Sequence, residues 1–125
     1  MKRPFRHGPE ELQMIQFFDY ARAMSHQHPG WKLAYHIPNE RKASIQRRIT
    51  MARAGVKKGV PDICIPFAND KYSALYIEMK VKPNRPSKEQ IELIKELLAI
   101  GCYACICWSA LEAIEIATKY ISNKL

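Results

Sequence analysis

Pro61-Asp62-Ile63-Cys64-Ile65-Pro66-Phe67, Ala68-Asn69-Asp70-Lys71 and Ser73-Ala74-Leu75-Tyr76-Ile77-Glu78-Met79-Lys80 form the stretch on which the fold turns. Two apolar runs flank a segment with turn chemistry, which is the pattern of a β-hairpin. Side chains two apart on a strand share a face. Glu78 and Lys80 therefore point one way with Tyr76 and Ala74, while Leu75, Ile77 and Met79 point the other. A hairpin centred near Asp70 pairs residues whose numbers sum to about 140, setting Pro66 against Ala74 and Asp62 against Glu78, with opposed Cβ atoms roughly 4.5–5.5 Å apart.

The neighbouring segments supply the rest of an α/β domain. Downstream, Val81 to Pro86 is a loop, and Ser87-Lys88-Glu89-Gln90 is a capping box. It opens a helix carrying Ile91, Leu93, Ile94, Leu97 and Leu98, closed by Gly101. Cys102 to Trp108 reads as a strand buried on both faces, and Ser109-Ala110-Leu111-Glu112 as a second capping box opening a last helix to about Ser122. Upstream, Gly8-Pro9-Glu10-Glu11 starts a helix, with proline at its first position and acids facing the positive end of the dipole. Leu12, Ile15, Phe18 and Met14, Phe17, Ala21 recur at helical spacing, so this helix runs to around Ser25. His26 to Gly30 ends it, and Trp31 to Ile37 reads as a strand stopped by Pro38-Asn39. Glu40 to Ala54 reads as a basic helix capped by Gly55, followed by a loop from Val56 to Pro61. The order is α, β, α, β, β, α, β, α, with a mixed sheet and a single domain over residues 1–125.

Charge narrows the partner. Twenty Lys and Arg against twelve Asp and Glu give +8 on 125 residues, an excess that favours a polyanion, nucleic acid before anionic membrane. No apolar run approaches the roughly 20 residues a spanning helix needs, and the basic start Met1-Lys2-Arg3-Pro4-Phe5-Arg6-His7 leads into a polar helix rather than a signal peptide. The expected location is the cytoplasm, where Cys64, Cys102, Cys105 and Cys107 are reduced thiols. Cys102 and Cys105 have C-x-x-C spacing, but a structural zinc wants four ligands and no second pair exists. His26 and His28 fit a helix C-terminus.

Arg41, Lys42, Arg47, Arg48, Arg53, Lys57 and Lys58 fall in a run without an acid that leads straight into Asp62. A charge run is often only a solvated face; here it makes a backbone-tracking DNA surface, which Lys82, Arg85 and Lys88 extend. Two opposed carboxylates repel unless a cation lies between them. Mg²⁺ suits the place, since it takes one or two carboxylates and completes its shell with water and phosphate oxygens. The bland alternative leaves Asp62 a strand start and Glu78 with Lys80 a solvated pair.

Pro61-Asp62 followed by Glu78-Met79-Lys80 resembles the PD-(D/E)xK nuclease signature on a hairpin. Arg53-Ala54-Gly55-Val56-Lys57-Lys58-Gly59-Val60 before it, and Ser87-Lys88-Glu89-Gln90 after it, resemble the VRR-NUC subfamily, most of all its small phage and prophage members. The likeness runs from Glu11 to the final helix. It implies a restriction-endonuclease-like core and a Mg²⁺-dependent deoxyribonuclease, with Mn²⁺ as substitute and no small-molecule cofactor. Asp62, Glu78 and the carbonyl of Met79 would hold the metal and Lys80 would activate the attacking water. Gln90 matches the family's glutamine after the ExK strand, and Glu11 matches the first-helix acid that reaches the metal. Each also has a structural explanation, a capping box for Gln90 and a helix dipole for Glu11, and helical spacing alone does not choose Glu11 over Glu10. His36, before a Pro-Asn element resembling one in the family, would approach the site. The resemblance further implies a homodimer cutting branched DNA such as Holliday junctions, inside a bacterial host if phage-derived; exposed apolar positions on the first helix are the interface we expect for it. The alternatives are a non-catalytic DNA-binding module and a subunit of a larger DNA-processing complex.

Overall fold

The computed structural model describes residues 6–38 and 43–125. A four-stranded sheet of order β1-β2-β3-β4 is built from β1 (Tyr35–His36), β2 (Ile63–Ile65), β3 (Leu75–Met79) and β4 (Tyr103–Cys107). The first two pairings are antiparallel, and β3 with β4 is parallel. The helices are α1 (Pro9–Met24), α2 (Pro29–Leu33), α3 (Ile45–Arg53), α4 (Lys88–Ala99) and α5 (Ala110–Ile121). None of the described helices is long and apolar enough to cross a membrane.

The hairpin has the register its sequence demands. Ile63 pairs with Ile77, Cys64 with Tyr76 and Ile65 with Leu75. Asn69 makes the turn: its Oδ1 accepts from the backbone N–H of Lys71 at 2.9 Å and of Tyr72 at 2.7 Å, the local bonding that lets asparagine replace a backbone turn. The end of α5 fastens this turn. Asn69 Nδ2 donates to the Tyr120 carbonyl at 2.9 Å, the Tyr120 hydroxyl donates to the Phe67 carbonyl at 2.6 Å, and the Asp70 N–H donates to Asn123 Oδ1 at 2.8 Å.

One face of the sheet is dry. Ile63, Ile65, Leu75, Ile77, Met79 and Cys107 pack with Phe17 and Ala21 of α1, Trp31 of α2, and Ala113, Ala117 and Tyr120 of α5. Ser109 caps α5 through the Glu112 N–H, while the Glu112 carboxylate accepts from Trp108 rather than from its cap, and Gln13 of α1 accepts from the Ala110 N–H at 2.7 Å. The α4 helix lies against β4, and its first turn reaches the opposite face of β3.

Three sequence expectations shift. Trp31 to Leu33 are helical, so the strand expected over Trp31 to Ile37 shrinks to Tyr35–His36. The reason is local: His28 Nδ1 accepts from the Gly30 N–H at 2.9 Å and Pro29 occupies the first helical position, which is a complete N-terminal cap. The basic helix begins at Ile45 behind Ser44, whose hydroxyl accepts from the Arg47 N–H at 3.1 Å; Glu40, Arg41 and Lys42 lie outside the described residues. On β4 only Ala104 and Cys107 are fully buried, so this strand is covered less completely than expected. Cys102 lies just before this strand beside Ser73, whereas Cys105 packs against the core, and all four cysteines are free.

Candidate active site

The site forms where β2 and β3 leave the sheet. Asp62 precedes β2 and sits one step beyond the Ile63–Ile77 pair, opposite Glu78. Its Oδ2 accepts from the Met79 N–H at 3.0 Å, which holds the carboxylate against the end of β3. Its carbonyl accepts from the Ile37 N–H at 2.7 Å and meets His36 Nδ1 at 2.8 Å. Thus β1 is short, but it anchors Asp62, and His36 touches the site's first residue through the backbone.

Glu78 and Lys80 are 1 % and 3 % exposed. Both lie on the face away from the hydrophobic core. Gln90, in the first turn of α4, donates from Nε2 to Glu78 Oε1 at 2.6 Å. Its Oε1 accepts from the Ser87 N–H at 2.8 Å, and Ser87 Oγ accepts from the Gln90 N–H at 3.2 Å. The two readings of Gln90 are therefore not exclusive, because one amide closes the capping box and grips the buried carboxylate. Among the described residues no ion pair or side-chain hydrogen bond engages Lys80. Burying an ammonium in that condition is costly, and the cost falls if an anion enters beside it.

Two cavities open on the site. The first, about 840 Å³, lies between α3, the loop through Lys57-Lys58-Gly59 and the start of α4, and Lys80 and Gln90 form part of its wall with Arg48 and Arg85. The second, about 1010 Å³, runs between the start of α1, His36, Asp62 and the loop bearing Lys82. Of the basic residues singled out in the sequence, Arg48, Lys57, Lys58, Arg85 and Lys82 border these spaces. Arg47 and Arg53 are exposed elsewhere on α3, and Lys88 is exposed at the head of α4.

Both first-helix acids border the second cavity. The stripe Met14–Phe17–Ala21 is the one that turns inward, and Glu10 shares it: this residue is half-buried, and Asn84 Nδ2 donates to its Oε1 at 3.4 Å. Glu11 is more open, its side chain 58 % exposed and its Oε1 2.7 Å from His7 Nδ1. Among the described residues, no three His, Cys, Asp or Glu side chains converge as a metal-holding group. The donor set expected from the sequence is two carboxylates, Asp62 and Glu78, with the carbonyl of Met79, the residue after Glu78. All are hard oxygens in the number Mg²⁺ takes from a protein before water and phosphate complete its shell. The residues fit that ion.

Sequence reading missed Gly59. It has φ +86°, and a Cβ there would stand 2.7 Å from the Glu89 carbonyl and 2.9 Å from the Gln90 N–H nitrogen. The basic loop is thereby laid directly on the turn that carries Gln90. The repeated glycine in Gly55-Val56-Lys57-Lys58-Gly59 was the available signal. Behind the site, Cys64 and Tyr76 face each other. Burial pushes the Cys64 thiol above its usual range, and burial followed by the neighbouring thiol pushes the Tyr76 phenol up to about 12.

The family model for the VRR-NUC domain matches residues 10–111. A solved structure titled VRR_NUC domain protein superposes with a TM-score of 0.79, covering 94 % of this chain and 92 % of that chain at 22 % identity. At that identity the likeness concerns the fold. No curated protein matches the chain.

Proposed function

Because the chain belongs to the VRR-NUC domain family and so is a nuclease-type domain, we propose that it is a metal-dependent endonuclease hydrolysing DNA phosphodiester bonds. The observation that carries the reading is the hairpin register, which sets Asp62 against the strand end bearing Glu78 and Lys80. A fold built only to bind DNA gains nothing from two carboxylates side by side in a basic cleft.

Asp62, Glu78 and the Met79 carbonyl would hold Mg²⁺, with Mn²⁺ as a substitute. Such an ion, when bound, polarises a phosphoryl oxygen and lowers the pKa of a bound water. The chain's own residues do the rest. Gln90 fixes the rotation of the Glu78 carboxylate. Lys80 brings positive charge to the phosphate, where the transition state is most negative. No nucleophilic side chain is needed. Glu10 or Glu11 closes the cleft from α1, and Arg48, Lys57, Lys58, Lys82 and Arg85 follow the DNA backbone on either side. Branched DNA, a Holliday junction included, is the proposed substrate. A two-fold pair of chains would present two sites to its two strands, and Leu12 and Tyr20 are exposed apolar positions on α1 for such pairing.

The test is cleavage of labelled four-way junction, splayed, single-stranded and linear duplex DNA in Mg²⁺, Mn²⁺ or EDTA, beside Glu78→Ala. Metal-dependent cutting by the wild type alone is expected, with Glu78→Ala still binding. Tight binding without cutting in either metal would refute the enzyme reading and favour a DNA-binding module.

A further inference from the structure

The 840 Å³ cavity beside Lys80 has a size within the roughly 300–1,000 Å³ range of small-ligand sites, and its lining is part aliphatic and part cationic. One wall is the face of α3 that carries Ile45 and Ile49, one helical turn apart. This helix buries no residue, and Ile45 and Ile49 are 68 % and 55 % exposed. A nine-residue helix is marginal without packing, so an aliphatic face turned to an open space does nothing for the fold. The rest of the lining is cationic, made by Lys57, Lys58, Arg85 and the buried Lys80 with Arg48 of α3, against one carboxylate, Glu89.

An occupant that satisfies this lining therefore offers both an apolar surface and an anionic group. An aliphatic peptide segment satisfies only the aliphatic part, and an inorganic anion only the cationic part. We propose that this cavity takes one unpaired nucleotide next to the scissile bond, its base lying on Ile45 and Ile49 and its phosphate on Lys57, Lys58 and Arg85. The proposal rests on DNA being the substrate, and it names what the protein recognises there: a base already out of the duplex, whose extrusion costs least. Selection of branched or flapped DNA then follows from a pocket on a single chain.

The test is binding in EDTA, read by anisotropy. Branched oligonucleotides carry one unpaired base, or an abasic residue in its place, at successive positions around the branch. The wild type should bind the base-bearing form about fivefold or more tightly at one position, the gain from taking roughly 40 Å² of apolar surface out of water. In Ile45→Ser/Ile49→Ser that preference should vanish while affinity for the abasic form is unchanged. Both sites are exposed, and an unchanged melting temperature verifies the fold. Equal affinity for both forms at every position, or a preference that survives the double substitution, overturns the proposal. So does a change of sedimentation in the double variant with its base preference intact, which would make the aliphatic wall a protein interface. Cleavage in Mg²⁺ is measured in parallel: cutting without base preference overturns the pocket alone, and base preference without cutting overturns the nuclease alone.

Discussion

Replacing Gln90 by alanine separates its two tasks. The side chain makes two hydrogen bonds, one accepted from the Ser87 N–H and one donated to the Glu78 carboxylate. A neutral bond of the first kind contributes about 0.5–1.5 kcal/mol, and a bond to a charged group about 1.5–3 kcal/mol. The sum is roughly 2–4.5 kcal/mol, and because the site opens onto a cavity that water can enter, the lower half of that range applies. A loss of about 2–3 kcal/mol lowers the melting temperature of a domain this size by roughly 6–15 °C. Ser87→Ala removes the cap's hydroxyl and leaves the grip on Glu78, so it should cost only about 1 kcal/mol. The decisive assay is a double-mutant cycle by denaturant unfolding in EDTA. In the Glu78→Ala background, Gln90→Ala should cost about 1 kcal/mol, leaving a coupling of roughly 1–2 kcal/mol between the two residues. Additive effects within about 0.5 kcal/mol would refute the reasoning and reduce Gln90 to a helix cap.

Other expectations follow from single contacts. Gly59→Ala should destabilise the fold by about 1–3 kcal/mol from its left-handed backbone alone, and by pushing on the Glu89–Gln90 peptide it should slow cleavage more than it weakens DNA binding. Equal losses in both would refute that account. Glu10→Gln should lower cleavage more than Glu11→Gln, because Glu10 lies on the buried stripe of α1; the reverse order, read from single-turnover rates, would give the role to Glu11. The Tyr76 phenol is raised from 10.0 to about 12 by burial first and by Cys64 second, so its contribution to stability is complete below pH 10 and is lost as pH rises through 12. Melting temperatures from pH 8 to 12 should fall only over the upper part of that range, and less steeply in Tyr76→Phe. Burial raises the Cys64 thiol, and the neighbouring Cys105 thiol followed by burial raises Cys107. Both should react with iodoacetamide at pH 8 far more slowly in the native than in the unfolded protein, and rapid labelling of either would contradict the burial described.

What the sequence disclosed was local. Strand alternation and the turn at Asn69 together determine the hairpin register, so the opposition of Asp62 and Glu78 could be worked out by counting. The Ser87–Gln90 box is likewise a four-residue pattern. Trp31 to Leu33 misled because an aromatic and aliphatic run looks like a strand, although Pro29 behind His28 offered a cap. Harder to foresee were contacts between distant segments. The choice between Glu10 and Glu11 depends on which stripe of α1 meets α5 and the sheet, and helical periodicity leaves that open. Gly59 looked like loop punctuation; the Glu89–Gln90 peptide that forbids a side chain there lies 30 residues further along. The grip of Gln90 on Glu78 joins two elements whose only sequence relation is a shared loop.

The tie between the hairpin turn and α5 bears on how the protein is made. Asn69 bonds to Tyr120, 51 positions later in translation, and β3 waits for its parallel neighbour β4. Contacts of such sequence separation form slowly and late. The strand pair that sets Asp62 opposite Glu78 is local, but its turn and its outer neighbour depend on residues about 30 to 50 positions further along. The turn of the hairpin is thus fastened last, by the segment of the described chain made furthest from it.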